Sequence, residues 1–172
     1  MNKTHSTAVE LAWAALRSHL HVAEMPELPE RLPEELAGRA GVFVSLKKQG
    51  RLRGCIGTFE PTQTDVAHEI IRNAVMAATQ DPRFPKVEEA ELPELEISVD
   101  VLTPPEEIAA ENQLDPARYG LILKSGWRKG LLLPQLEGVN TVEEQIAIVR
   151  QKAGIVPGEA VTMYRFTVVR YT

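Results

Sequence analysis

Disulfide chemistry is closed to this chain, because Cys55 is its only cysteine. A lone thiol fits a reducing compartment, and a cytoplasmic location is the expectation. Long apolar runs are missing as well. The run Leu131, Leu132, Leu133 meets Pro134 at once, far short of the roughly 20 residues that a bilayer-spanning helix needs. No basic stretch leads into an apolar one near the N-terminus, where His19 and His21 interrupt the chain. No signal peptide is read there, and no membrane association is expected. Positive charge is also in short supply. The 19 Lys and Arg face 24 Asp and Glu, for a formal net charge of −5. That balance argues against nucleic acid as a partner, since phosphate binding depends on clustered cations.

Several chemical signatures are absent. His68 and Glu69 begin the pattern of a zinc-protease helix, but Arg72 stands where the second histidine is required. His19 and His21, two apart on a helix, point to different faces. No metal site and no cofactor are therefore expected. There is no phosphate-cradling glycine loop and no Gly-x-Ser-x-Gly elbow. The spacing of Gly54 and Gly57 matches an RNA-clamping loop, but that loop joins two helices and this one lies in a strand pattern. No internal repeat or low-complexity tract is present.

What the chain does contain is a clear alternation of periods. Its 172 residues, 44% hydrophobic and 25% charged, suffice for one domain, or for two small subdomains with no boundary visible in the sequence. Thr7 and Glu10 have capping-box spacing, and Val9, Ala12, Trp13, Leu16 and Leu20 form one helical stripe. Residues 24–36, rich in Pro and Glu, read as a crossover with a short helical turn. Residues 41–48 and 51–59 are β-type runs joined by Gln49 and Gly50, a hairpin. A second helix is predicted over 65–79, with Val66, Ala67, Ile70, Ile71, Ala74 and Ala78 as its apolar face. Leu95, Ile97, Val99 and Val101 alternate with Glu96, Ser98 and Asp100, a strand buried on one face. Short strands at 121–124 and 131–133 flank a Gly/basic turn. A third helix over 142–153 begins at the capping box Thr141/Glu144 and stops at Gly154. Residues 162–171 close the chain as one strand. Hairpins outnumber possible βαβ units, so the expected class is α+β with a largely antiparallel sheet and three main helices.

Two constellations carry the chemistry. In a regular strand Leu52, Gly54, Ile56 and Thr58 face the core, while Arg51, Arg53, Cys55 and Gly57 share the other face. Cations beside Cys55 would favour its thiolate, and the bare Cα at Gly57 would admit a ligand. Against this stands the ordinary role of a free cysteine as a small hydrophobe, and a bulge at Gly54 would reverse the parity. The second constellation is Asp81, Arg83 and Phe84, set between Pro82 and Pro85. It reads as a stiff exposed segment that presents all three side chains, or else as a rigid linker whose Asp81–Arg83 pair holds a turn.

Gly41 to Leu46, Leu52-Arg53-Gly54-Cys55-Ile56-Gly57-Thr58, Asp81 to Phe84, Leu92 to Val99, Gly120 to Leu123, Gly130 to Gln135 and Lys152 to Gly154 occur in the order seen in the AMMECR family. That family is named for the Alport, midface-hypoplasia and elliptocytosis chromosomal region, and the resemblance runs from about Val9 onward. It implies two α/β subdomains side by side, with the cysteine segment near a cleft between them. It also implies a Memo-like protein and a radical SAM protein as partners. Site residues carried by the resemblance are Arg53, Gly54, Cys55, Gly57, Asp81, Arg83 and Phe84. The chain departs from prokaryotic relatives in two places. Residues 136–141 hold no Trp, and Arg150 stands where a second cysteine is expected, which argues against a two-thiol mechanism. Three functions remain open at this stage. One is a binding module presenting a peptide or small molecule to those partners. Another is an enzyme with Cys55 as nucleophile on a small acyl or peptide substrate, and the third is a purely structural subunit.

Overall fold

The computed structural model describes residues 6–172. The chain divides into two compact units, one reaching to Val101 and taking back Val169–Thr172, the other Leu102–Val168. No helix among the described residues is long and apolar enough to cross a membrane.

The first unit holds α1 (Thr7–His19), α2 (Glu34–Ala37), β1 (Val42–Lys48), β2 (Arg51–Thr58), α3 (Val66–Thr79) and β3 (Leu95–Leu102). The C-terminal β8 (Val168–Tyr171) joins them, and the sheet order is β2-β1-β3-β8. Pairing of β1 with β2 and β3 is antiparallel. The expected helix at 9–20 is present, but its N-cap is Ser6 rather than Thr7, accepting from the Val9 N–H at 3.4 Å. Asp65 caps α3 in the same way through His68 N–H.

Alternation decides which face of this sheet is buried. Val42, Val44 and Leu46 of β1 and Val99 of β3 are sealed on one face, the one that β1 and β2 turn to α3, with Ile97 nearly so. Each buried aliphatic side chain is worth about 1.5–3 kcal/mol, so a one-residue slip of β1 would cost on the order of 5 kcal/mol. The predicted parity fails at one place. The register steps from Leu46 opposite Gly54 to Lys47 opposite Leu52, which leaves Arg53 as the extra residue of a β-bulge. Leu52, expected in the core, is consequently turned out and 40% exposed. Cys55 and Gly57 lie beyond the bulge and keep the face opposite α3.

The second unit holds β4 (Glu106–Ile108), β5 (Gly120–Ser125), β6 (Arg128–Leu132), α4 (Val142–Ala153) and β7 (Thr162–Phe166), in sheet order β4-β7-β5-β6. Thr141 and Glu144 form the predicted capping box, and Gly154 ends α4 at φ 65°. Leu121, Leu123, Leu132, Val149 and Ile155 make its core. Two expectations change here. The strand β4 has no visible pattern in three residues, and the predicted strand over 162–171 breaks at Thr167. There the Thr167 N–H donates to Thr103 Oγ1 at 2.9 Å and its carbonyl accepts the Thr103 N–H at 2.9 Å. The two halves consequently join different sheets. The α+β class with antiparallel sheets and three main helices holds.

The hallmark glycine Gly54 is a packing device. A Cβ there would lie 2.2 Å from the Ala77 carbonyl oxygen of α3, a backbone atom with no rotamer to yield. We predict that Gly54→Ala destabilises the protein by about 3 kcal/mol or more through forced separation of α3 from β2. Urea unfolding monitored by circular dichroism is the check.

Candidate functional site

On the sheet face away from α3, Cys55 of β2 stands opposite Ser45 of β1, which stands opposite Ser98 of β3; Gly57, Phe43 and Asp100 form the next row. β2 is an edge strand, and the Cys55 N–H points away from β1. It donates to Asp81 Oδ2 at 2.9 Å. Ser45 and Cys55 are therefore a non-hydrogen-bonded pair, the kind whose side chains come closest, and Ser45 Oγ donates to Cys55 Sγ at 3.2 Å.

Asp81 is not presented to solvent as the sequence suggested. Its side chain is 2% exposed. Besides the Cys55 N–H, it accepts the Arg83 N–H at 3.0 Å, Arg83 Nε at 2.9 Å and an Arg83 Nη at 2.7 Å. The Arg83 guanidinium holds the Asp81 carboxyl well below the usual carboxylate range; burial opposes this, and the Cys55 and Arg83 amides reinforce it. Arg83 itself remains 56% exposed, its guanidinium over the half-buried Phe84 ring at 5.5 Å. The segment is thus a turn closed on a buried anion, and of its charged pair only the cation faces out.

Arg53 does not line the thiol. As the bulged residue it turns to Glu91, donating Nε at 2.9 Å and an Nη at 2.7 Å, and to the carbonyls of Pro85 and Lys86 at 2.9 and 3.2 Å. That fork ties the end of the Asp81–Pro85 segment to β2 and holds the Glu91 carboxyl down at about 2. Gly57 is no doorway either: a Cβ there would lie 2.2 Å from the Phe43 ring, which covers it. The arrangement brings together Cys55, Asp81, Arg83 and Phe84 and assigns Arg53, Gly54 and Gly57 to packing and anchoring.

The thiol follows from these neighbours. Burial pushes Cys55 up from its usual 9.0; the Ser45 hydroxyl and Arg83 pull the other way, and Asp81 and Asp100 add to the rise. The sign is opposite to that expected from Arg51 and Arg53 on one face: burial outweighs the cations, Arg53 has turned to Glu91, and the pull of Arg83 is offset by its partner Asp81.

Sequence reasoning missed two members of this face and a polar network behind it. Asp100, in an outward position of the predicted strand, is buried and clamped by Arg170 of β8 at 2.7 and 2.8 Å. Ser45 was legible only once the hairpin register was known. Behind the sheet, Glu69 of α3 is fully buried yet accepts from Thr58 Oγ1 at 2.5 Å, Thr62 N–H at 2.8 Å and Gln63 N–H at 2.8 Å. Burial would raise its carboxyl, but these bonds win and lower it. Asn73 donates to the Val42 carbonyl at 2.9 Å and closes the network. Glu69 and Asn73, four apart on an otherwise apolar face, were the available signal.

Two outcomes follow. Alkylation of folded Cys55 by iodoacetamide should show an apparent pKa above 9.0, and Ser45→Ala should raise it further, because the hydroxyl's bond to sulfur favours the thiolate. A pH–rate profile on both proteins checks this. Acid unfolding should also reflect the depressed carboxylates. A group whose folded pKa lies below its unfolded one stabilises above the unfolded value and loses that contribution as pH falls. For Glu91 the window runs from its usual 4.5 down to about 2, so Glu91→Gln should flatten the loss of stability there, measured as melting temperature against pH.

Comparison with known proteins agrees with this fold. The chain is 50% identical over 166 residues to a protein of Thermotoga maritima, covering 95% of each. It is also 50% identical over 165 residues to a protein of Clostridium acetobutylicum, but there it spans only 35% of that longer chain. The crystal structure of an uncharacterised Pyrococcus horikoshii protein, PH0010, superposes with a TM-score of 0.82 at 36% identity, covering 95% of this chain and 88% of that one. The AMMECR1 family model matches residues 9–171, and the chain belongs to the AMMECR1 family.

Proposed function

We propose that the Cys55–Asp81–Arg83–Phe84 surface is a non-catalytic binding site for a carboxylate-bearing small molecule or peptide. In this reading the chain is a module that presents its ligand to protein partners. The observation that carries this is the double duty of Asp81. One buried carboxylate closes the edge of β2 and fixes the Arg83 fork, so a planar cation stands over an aromatic ring with little rotamer freedom left to lose. A preorganised guanidinium is suited to a carboxylate, which it binds through paired N–H donors.

The reading as a cysteine nucleophile is less well supported. The groups acting on the thiol are a hydroxyl, a guanidinium and two carboxylates. Both carboxylates are held by arginines, so none is available as a general base. A module role also fits the Clostridium acetobutylicum relative, in which the matching region is joined to further sequence. Memo-like and radical SAM proteins are the partners this reading takes from the family resemblance.

The test uses a matched pair of acetylated tetrapeptides, one with a free C-terminal carboxylate and one amidated, titrated into the labelled protein by amide NMR. The expected result is shifts at Cys55, Asp81 and Arg83 with the free acid alone, and binding weakened about tenfold by Arg83→Ala. Equal shifts with both peptides, or none at these amides, would contradict it.

A further inference from the structure

Asp81 closes the edge of β2 at a single N–H, that of Cys55. Hydrogen-bonded and non-hydrogen-bonded pairs alternate along an antiparallel ladder. Cys55 and Ser45 are a non-hydrogen-bonded pair, so Gly57 and Phe43 are the next one. The Cys55 carbonyl and both the N–H and the carbonyl of Gly57 therefore point away from β1. None of the three has a hydrogen-bond partner among the described residues, and both residues are only half-buried. Exposed edges are ordinarily blunted by a lysine, a proline or a bulge. β2 has its bulge at Arg53, where the Pro85 and Lys86 carbonyls are also tied back. From Cys55 to Gly57 the strand carries none of these devices.

We propose that this stretch of β2 accepts an extended peptide as an added antiparallel strand, with the peptide's last residue opposite Cys55 and its terminal carboxylate on Arg83. The inference rests on the reading of Arg83 as a carboxylate site and adds the chemistry that recognises the rest of the ligand. In strand addition the main chain supplies the affinity. The last residue of the peptide donates its N–H to the Cys55 carbonyl. The residue third from the end exchanges both of its backbone bonds with Gly57, and the one between them turns its N–H away from β2.

Three observations select this occupant and this direction. Asp81 Oδ2 stands where the carbonyl of a partner residue opposite Cys55 would accept, so a strand antiparallel to β2 has to end there. At that end Arg83 is 56% exposed, and only its Nε and one Nη are spent on Asp81. The other Nη is left for a carboxylate. A parallel strand would instead bring an N-terminal ammonium to Asp81, whose side chain is 2% exposed and already accepts from Cys55 and Arg83. The third observation is the half-buried Phe43 ring, which fills the space over Gly57. The side chain third from the peptide's end falls on that same face, where an apolar residue packs against the ring.

The probe is acetyl-Thr-Val-Thr-Val with a free C-terminal carboxylate, titrated into the labelled full chain by amide NMR. Its amide and three analogues, each N-methylated at one of the last three residues, are titrated alongside. Strand pairing is read from parity. A methyl on the last or the third-from-last residue meets β2 and should weaken binding at least about tenfold, whereas one on the residue between should change it less than about twofold. The Gly57 N–H should exchange freely in the unliganded protein and at least about tenfold more slowly in the saturated complex. Suppose the acid binds and the amide does not, yet the three methylations act alike or Gly57 exchange is unchanged. Strand addition is then wrong while the carboxylate reading stands. If acid and amide bind equally, or neither binds, the carboxylate reading fails and this inference with it. A Gly57 N–H already protected in the unliganded protein means that the chain or a second copy covers the edge, and also overturns the proposal.

Discussion

An edge strand exposes a row of unpaired N–H groups, and a buried carboxylate needs donors to remain charged. In this protein the two requirements meet at Asp81, whose carboxylate accepts the outward N–H of Cys55 and three N–H groups of Arg83. The local shape of the site follows from that contact. It closes the free edge of β2 and fixes the turn that follows α3. It also leaves Arg83 over Phe84 as the exposed cation. The pair is buried on the Asp81 side alone, so loss of the donors to Asp81 leaves a buried charge uncompensated, while loss of Asp81 leaves an Arg83 that water can reach.

A second constraint works from the opposite side of the sheet. Gly54 brings β2 against the Ala77 carbonyl of α3, while Glu69 and Asn73 hold the far end of β2 and the loop beyond it through Thr58 and Thr62. The strand is thus gripped on its helix face by close packing and a buried polar network, and at its edge by Asp81. Cys55 lies between these grips. Its position is defined to within a hydrogen bond, yet the same burial keeps the sulfur protonated. A thiol with a raised pKa is less often present as the thiolate near neutral pH than a free one.

Much of this architecture could be read from the residues. The three long helices were legible because their apolar stripes are local, as is the capping box of α4, and the β1–β2 hairpin because Gln49-Gly50 follows and precedes runs of alternating character. The failures have a common cause. The bulge at Arg53 depends on a register step against Lys47, and no pattern within β2 records it. The burial of Asp81 depends on Cys55, 26 positions earlier, and that of Asp100 on Arg170, 70 positions later. A charged residue bounded by prolines looks exposed until its distant partner is known. Gly57 misled in a similar way: its bare Cα suggested room for a ligand, but the Phe43 ring fills the space.

The central claim, that the Asp81 carboxylate closes the β2 edge at Cys55, is tested most directly by amide hydrogen exchange of residues 51–58 in the wild type and in Asp81→Ala. The account predicts a protected Cys55 N–H in the wild type. In the variant its protection falls by at least about tenfold more than that of the amides bonded to β1. Equal protection of Cys55 in both proteins would contradict it.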